Sequence, residues 1–379
     1  MKKIIIAIDS FKGCLTSAEA GKAAEKGIKS INPSCHTSVI PIADGGEGLL
    51  DVLITATKGK YITLSAHGPL MKMAKTHYGL SGNGRTAIIE MAAISGLPLV
   101  PIEQRNPMLT TTFGTGELIK DALNKGCRNF IIGIGGSATN DAGLGMLQAL
   151  GFRFLDKSGH TLGTGGQIME AVANIDTSGI HPALKETHFV VACDVTNPFY
   201  GPDGVAYIFA QQKGTDPKMV QRLDEGMQSL AEVIKKTTGK DITNYPGAGA
   251  ARGMGGGLLA FFNAELKPGT ELLLKAIDFS EKIKGADLII TGEGKADRQT
   301  AMGKVPYRIL KEAQKEHIPV IVLAGSIENL PELNKAGFKG IFSIAPDPIT
   351  LEKAMEPEFA KENITRLVSQ LYSVITSFG

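Results

Sequence analysis

The chain has 379 residues with 46 Gly, 18 Pro, 4 Cys and no Trp, so Gly makes up about 12% against a usual share of about 7%. No G-x-y period accompanies the excess and 43% of the residues are apolar, which excludes collagen-like and disordered classes and leaves a chain long enough for two cores. Forty basic side chains against 38 acidic ones give a formal charge of +2, too balanced for a binder of nucleic acid or anionic membrane that works by bulk charge.

The first residues, Met1-Lys2-Lys3 and then Ile4 to Ile8, end at Asp9, short of the roughly 7–15 apolar residues of a secretory leader. They read as a buried strand, β-branched on both faces. Thr16 with Glu19 spells a capping box, and an amphipathic helix is expected from there to about Ser30. A second strand over 38–42 and a second helix over 46–56 follow. Near the other end the same alternation returns: strands over 286–290, 320–323 and 340–344, helices over 303–316, 331–336 and 358–377. Strands alternating with helices mean a parallel, doubly wound sheet.

The middle of the chain differs. Segments 61–65, 75–80 and 86–91 read as successive strands with no helix between them, so mixed or antiparallel pairing is expected. Further strands fall at 130–134 and 189–193, and a long polar helix at 217–237. Alike ends and an unlike middle imply an insertion. One α/β domain is expected from 1–60 with 285–379, and an inserted mixed α/β domain from 61–284.

Five polar clusters follow expected strands: Asp9-Ser10-Phe11-Lys12-Gly13, Ala43-Asp44-Gly45-Gly46-Glu47-Gly48, Gly135-Gly136-Ser137-Ala138-Thr139-Asn140-Asp141, Asp194-Val195-Thr196-Asn197 and Thr291-Gly292-Glu293-Gly294-Lys295-Ala296-Asp297. Open parallel sheets bind ligands at the carboxyl ends of their strands, so these clusters are candidates to face a cleft, although any one of them could simply end a strand. The Gly135–Asp141 stretch is the most specific. Its glycines let backbone approach an anion, a helix expected to follow at once would offer unpaired N–H groups, and Ser137 and Thr139 add hydroxyls. The competing reading is an ordinary strand-to-helix turn capped by Asn140 or Asp141.

A rival function rests on the same stretch. Gly133-x-Gly135-x-x-Ala138 with Asp156 fits the dinucleotide fingerprint of an NAD(P)-dependent hydroxy-acid oxidoreductase. A non-catalytic anion binder is a third option. Other templates fail. None of the Gly-Lys pairs is followed by Ser or Thr as a Walker A loop requires, and there is no G-x-S-x-G elbow, H-R-D or D-F-G. Cys14, Cys35, Cys127 and Cys193 form no CxxC and no zinc-ligand spacing, which reads as reduced thiols in a cytoplasmic protein. The segment 247–257, with six glycines in eleven residues, reads either as a hinge or as a tight ligand-facing loop before a helix.

These words also resemble, in order from residue 1 to about 330, the blocks of the bacterial type I glycerate kinases. They include Asp9–Gly13, Ala43–Gly48, Gly135–Asp141, Gly145–Gly151, Cys193–Pro198, Gln212-Lys213-Gly214, and Ile290–Lys295 with Asp297, Gln299-Thr300 and Gly303-Lys304. Phe209-Ala210-Gln211-Gln212 and Arg252 depart from the family pattern. The resemblance implies ATP-dependent phosphorylation of D-glycerate, with 2-phosphoglycerate in preference to 3-phosphoglycerate as product. It also implies a flavodoxin-like domain from both chain ends carrying an inserted domain of mixed topology. Partners would be D-glycerate and ATP with Mg²⁺, no nucleic acid and no membrane, with self-association into a homo-oligomer left open.

Such chemistry needs positioning, neutralised phosphate charge and a nearby base. The roles expected on that footing are as follows. Gly135, Gly136, Ser137, Thr139, Asn140 and Lys295 hold nucleotide phosphates. Asp194 holds Mg²⁺, with Glu293 or Asp44 as alternatives. Ser10, Lys12 and Arg298 hold the substrate, Lys12 and Arg298 by its carboxylate. Asp297 is the base, with Asp44 in reserve.

Overall fold

The structure, a computed structural model, describes residues 2–44, 48–209, 216–328, 330–346 and 348–377. Gly45-Gly46-Glu47 and Gln212-Lys213-Gly214 of the motifs above lie outside the described residues. The chain divides into two compact units, Met1–Asp44 with Thr270–Gly379, and Gly45–Gly269. The divisions fall earlier than residues 60 and 284. The reason at the first is the helix Leu49–Thr57, which packs on second-unit strands. Gly79 makes room for it, since a Cβ there would meet Ile54 Cδ1 at 2.4 Å and Leu50 Cδ1 at 2.5 Å.

The strands in chain order are β1 (Lys3–Ile8), β2 (His36–Val39), β3 (Lys60–His67), β4 (Met73–Leu80), β5 (Thr86–Glu90), β6 (Asn129–Gly133), β7 (Arg153–Leu155), β8 (Asn174–Asp176), β9 (His188–Ala192), β10 (Glu265–Lys267), β11 (Leu288–Ala296), β12 (Val320–Ile327) and β13 (Gly340–Ser343).

The first unit carries a parallel sheet in the order β13-β12-β11-β1-β2. Numbered within the unit this is 2-1-3-4-5, the flavodoxin-like order, whose switch point lies between β1 and β11. Ile4, Ile6 and Ile8 of β1 bury one face against the helices Ser17–Ile31 and Pro357–Ser377. The first helix starts where the capping box foretold: Thr16 Oγ1 accepts from Glu19 N–H (3.2 Å) and Glu19 Oε2 accepts from Thr16 N–H (3.0 Å). Its buried face is small residues, Ala20, Gly21, Ala24 and Gly27 among them, which lets backbones close in. A Cβ at Gly27 would lie 2.5 Å from Thr365 O.

The second unit carries a six-stranded mixed sheet, β10-β9-β6-β5-β4-β3, in which β3, β4 and β5 pair antiparallel and the rest parallel. The pair β7–β8 forms a separate antiparallel sheet. Its core is built around stacked rings, Phe130 on Phe189 at 4.7 Å and Phe189 on Phe262 at 4.9 Å.

Three local readings are revised. β11 does not stop at residue 290 but runs through the motif Gly292–Lys295, because β12 extends beside it and pairs Glu293 with Ala324 and Lys295 with Ser326. No helix follows the Gly135–Asp141 turn directly; the helix there is Leu144–Ala149. Most of the glycine-rich 247–257 segment is buried. Its end is the buried start of the helix Met254–Phe262, and its glycines permit close packing: a Cβ at Gly256 would lie 2.7 Å from the Phe199 ring, one at Gly257 2.8 Å from Ala142 O.

The four cysteines are unpaired thiols. Among the described residues no helix is long and apolar enough to cross a membrane.

Candidate active site

In the first unit the chemistry gathers at the carboxyl ends of β1 and β11, at the switch point. Asp9 follows β1 directly and its N–H donates to Gly292 O at 2.9 Å, which sets it beside Glu293. Both carboxylates are buried, Asp9 at 7% and Glu293 at 6% exposure. Burial and the neighbouring Asp44 push the Asp9 carboxyl up to about 7, against the opposing pull of the Ser10 N–H and the Lys12 ammonium. Burial also raises the Glu293 carboxyl. Glu293 is held by Thr300, whose hydroxyl donates to Oε1 at 2.6 Å, and by Lys304, with Nζ 3.5 Å from Oε2.

Around them stand the other expected residues of this unit. Lys12 Nζ lies 2.5 Å from Asp44 Oδ2, with the lysine well exposed and Asp44 half-buried. Ser10 is half-buried, and its N–H donates to Asp9 Oδ1 at 2.7 Å. Asp297 caps its own turn, accepting from Gln299 N–H at 2.9 Å, and Lys304 Nζ sits 3.3 Å from the same oxygen. Burial works against the Asp297 charge, yet Lys304 and the turn's N–H groups hold its carboxyl below the usual range. Arg298 is exposed beside it. Lys295 points its charge at Glu328, 2.8 Å away. Ser10, Lys12, Asp44, Glu293, Lys295, Asp297 and Arg298 thus belong to one unit, at the crest of one sheet.

The second unit holds the remaining candidates. Gly135 and Gly136 are exposed, whereas Ser137, Thr139 and Asn140 are buried. The turn is stitched to the segment before it: Leu97 N–H donates to Gly136 O (2.9 Å) and Ala138 N–H to Ser95 O (2.9 Å). Ser137 Oγ is engaged with Thr139, 3.0 Å from its N and 2.9 Å from its Oγ1. Asn140 Oδ1 is buried without a hydrogen-bond partner among the described residues.

Asp141 explains why no helix start is open here. Its fully buried carboxylate accepts from Thr112 N–H (2.8 Å), Thr112 Oγ1 (2.9 Å), Gly143 N–H (3.2 Å) and Gly145 N–H (3.2 Å). Met146 N–H is taken by Thr112 Oγ1 at 2.9 Å. First-turn donors of the helix Leu144–Ala149 are therefore spent on protein groups, and the helix-dipole part of the phosphate reading loses its footing. What this turn leaves exposed is the backbone of Gly135 and Gly136. Arg252 joins it from the glycine-rich segment, donating from Nη1 to Ser137 O at 3.2 Å. Burial lowers the Arg252 guanidinium to about 10.

Asp194, expected to hold the metal, is exposed and its Oδ1 accepts from Gly269 N–H at 3.1 Å. It stands in the second unit and Glu293 in the first. The dinucleotide fingerprint also fails on topology. Asp156 follows β7, in the separate β7–β8 pair, whereas the fingerprint needs it after a parallel neighbour of β6. Its carboxylate turns back on its own loop, accepting from Ser158 N–H at 2.8 Å and His160 N–H at 2.9 Å.

Sequence reading gave no separate role to Asp9, Thr300 or Lys304. Asp9 was legible as the first polar residue after a β-branched buried run; the other two needed the turn 297–300 that folds them onto Glu293.

Open α/β sheets bind ligands at the switch point, and in this sheet that point carries carboxylates and lysines. The chain belongs to the glycerate kinase family, whose model matches residues 4–376, and it is accordingly a phosphotransferase. It is 47% identical over 355 residues to the glycerate kinase of Bacillus subtilis (strain 168), covering 93% of each chain. It is 46% identical over 365 residues to the glycerate 2-kinase of Escherichia coli (strain K12), covering 96% of this chain and 95% of that one. A crystal structure described as glycerate kinase 2 from Salmonella typhimurium LT2 superposes with a TM-score of 0.87 at 42% identity, covering 99% of this chain and 98% of that one.

Proposed function

We propose that the protein transfers the γ-phosphoryl group of ATP to a hydroxyl of D-glycerate in the cytoplasm, giving 2-phosphoglycerate. The observation that carries this reading is the crest of the first unit. Buried Asp9 and Glu293 lie side by side there, with Lys12, Asp44, Asp297 and Lys304 around them, in a chain of the glycerate kinase family.

Phosphoryl transfer passes through a loose transition state, so positioning and charge do most of the work. Lys12 and Arg298 are the exposed cations offered to the glycerate carboxylate, and Ser10 adds a hydroxyl. Asp297, kept ionised by Lys304, accepts the proton of the attacking hydroxyl, with Asp44 as the alternative. For phosphate oxygens each unit is read by itself: the first offers Lys295 on β11, and the second the exposed backbone of Gly135 and Gly136, with Ser137, Thr139 and Asn140 shaping that turn from inside. Among the described residues no three acidic, His or Cys side chains form a ready cage for an ion. Mg²⁺ is commonly held by one or two carboxylates plus substrate phosphates. Asp44 and Glu293 in the first unit and Asp194 in the second supply hard oxygens of that kind. The ion, when bound, neutralises phosphate charge.

The test is to mix the purified protein with MgATP and D-glycerate, couple ADP release to a readout and identify the product by NMR. Glycerate-dependent ADP release with 2-phosphoglycerate is expected. No ADP above background overturns the reading, and 3-phosphoglycerate corrects its regiochemistry.

A further inference from the structure

On the opposite face of the same crest is a cavity of about 140 Å³, enclosed entirely by first-unit residues. It lies where β1, β11, β12 and β13 end, lined by Phe11, Gly294, Gly325, Ile344, Met355 and Phe359. We propose that it is the seat of the purine base of the nucleotide; this rests on the kinase reading above and deepens it.

Four observations point the same way. First, a cavity of about 150 Å³ takes one benzene ring, so this one holds part of a flat bicyclic base and leaves the sugar at its mouth. Second, the walls are what an aromatic base prefers: Phe11 is 5% exposed, and two glycines flatten the strand side. A Cβ at Gly294 would meet nothing nearer than Lys12 N and Phe11 Cα, both at 3.9 Å, so the space above this strand is open. Third, the lip is mixed. Leu351 lines it while 77% exposed, an apolar side chain with uncovered surface, and Lys12 and Ser326 line it with a cation and a hydroxyl. A ligand with an apolar ring and a polar sugar covers the first and meets the Ser326 hydroxyl. Fourth, a polar group reaches the wall: Asn363, 7% exposed, has its Nδ2 spent on Phe359 O at 2.9 Å, while its Oδ1 accepts only a long 3.4 Å contact from Arg366. An amide oxygen so placed can accept from an exocyclic amine. Lys12 links the cavity to the carboxylates, since its Nζ bonds Asp44. A base seated here sends its phosphates along the crest toward the group that receives them, as flavodoxin-like sheets bind ligands across their switch point.

The test uses the whole protein and binding as its readout. Ala345→Leu and Ala354→Leu fill the cavity from its half-buried wall. Titrations with ADP and with inorganic pyrophosphate are compared by calorimetry. Each variant is expected to weaken ADP about tenfold or more and to leave pyrophosphate binding and the KM for D-glycerate unchanged. Unchanged ADP affinity in folded variants overturns this proposal alone; no ADP binding to the unaltered protein overturns it together with the kinase reading. Should circular dichroism show the variants unfolded, photolabelling of the unaltered protein with 8-azido-ADP decides. Label within 344–363 supports the proposal, and label only elsewhere overturns it.

Discussion

Asp9 and Asp297 are carboxylates of one crest driven in opposite directions by their surroundings. Asp9 is buried beside other acids, and its carboxyl rises from 3.8 to about 7. Asp297 keeps its charge because Lys304 stands 3.3 Å away. A carboxyl with a raised folded pKa binds more protons folded than unfolded between about pH 4 and 7, so its contribution to stability is present at low pH and lost as the pH rises to 7. Asp9→Asn should match the unaltered protein near pH 4 and gain on it up to about pH 7, by at most about 4 kcal/mol. Urea unfolding at pH 4, 6 and 8 measures this, and a difference that does not change with pH would contradict it. Asp297→Asn should lower kcat about 10²-fold, the scale of a lost general base, with folding intact. Near-normal turnover would reassign the base to Asp44.

At the scale of elements, glycine does two jobs that composition cannot separate. In the Gly135-Gly136 turn it leaves backbone exposed, whereas in the helix Met254–Phe262 it lets a helix press on Phe199 and Ala142. Gly256→Val should therefore destabilise the protein by about 1–3 kcal/mol through overpacking, seen as a lower Tm. Were the segment a hinge, the same change would alter turnover and leave Tm in place. β11 carries the companion lesson. Gly292–Lys295 reads as a turn by its residues, but a long β12 beside it keeps those residues in register and turns Glu293 into a buried strand residue.

At the scale of the molecule, each unit has its own core, one around Ile4, Ile6 and Ile8 with the helices Ser17–Ile31 and Pro357–Ser377, the other around the Phe130, Phe189 and Phe262 stack. The second unit is one continuous stretch of chain, Gly45–Gly269. A fragment of residues 45–269 is expected to fold alone and to unfold in urea as one cooperative transition. A fragment that lacks near-UV dichroism or unfolds gradually would show that this core is incomplete without the rest. The first unit needs both chain ends, because β1 and β2 come from one and β11 to β13 from the other. Removing residues 357–379 should unfold it by stripping the cover from Ala20, Ala24 and Ile28.

What the sequence determined by itself is whatever rests on neighbours along the chain. A continuous β-branched run placed β1 and amphipathic patterns placed the terminal helices, the capping box began the first helix at Thr16, and the recurrence of one pattern at both ends announced the inserted middle. The order of family words carried the enzyme class. Tertiary structure decided what depends on residues far apart. It placed Asp9 beside Glu293 and raised its carboxyl through burial, spent the Met146 N–H on Thr112 Oγ1, 34 residues away, and opened a cavity among Phe11, Gly294 and Met355. Burial and electrostatics are properties of the packed surroundings, and those surroundings come from pairings across nearly the full length of the chain.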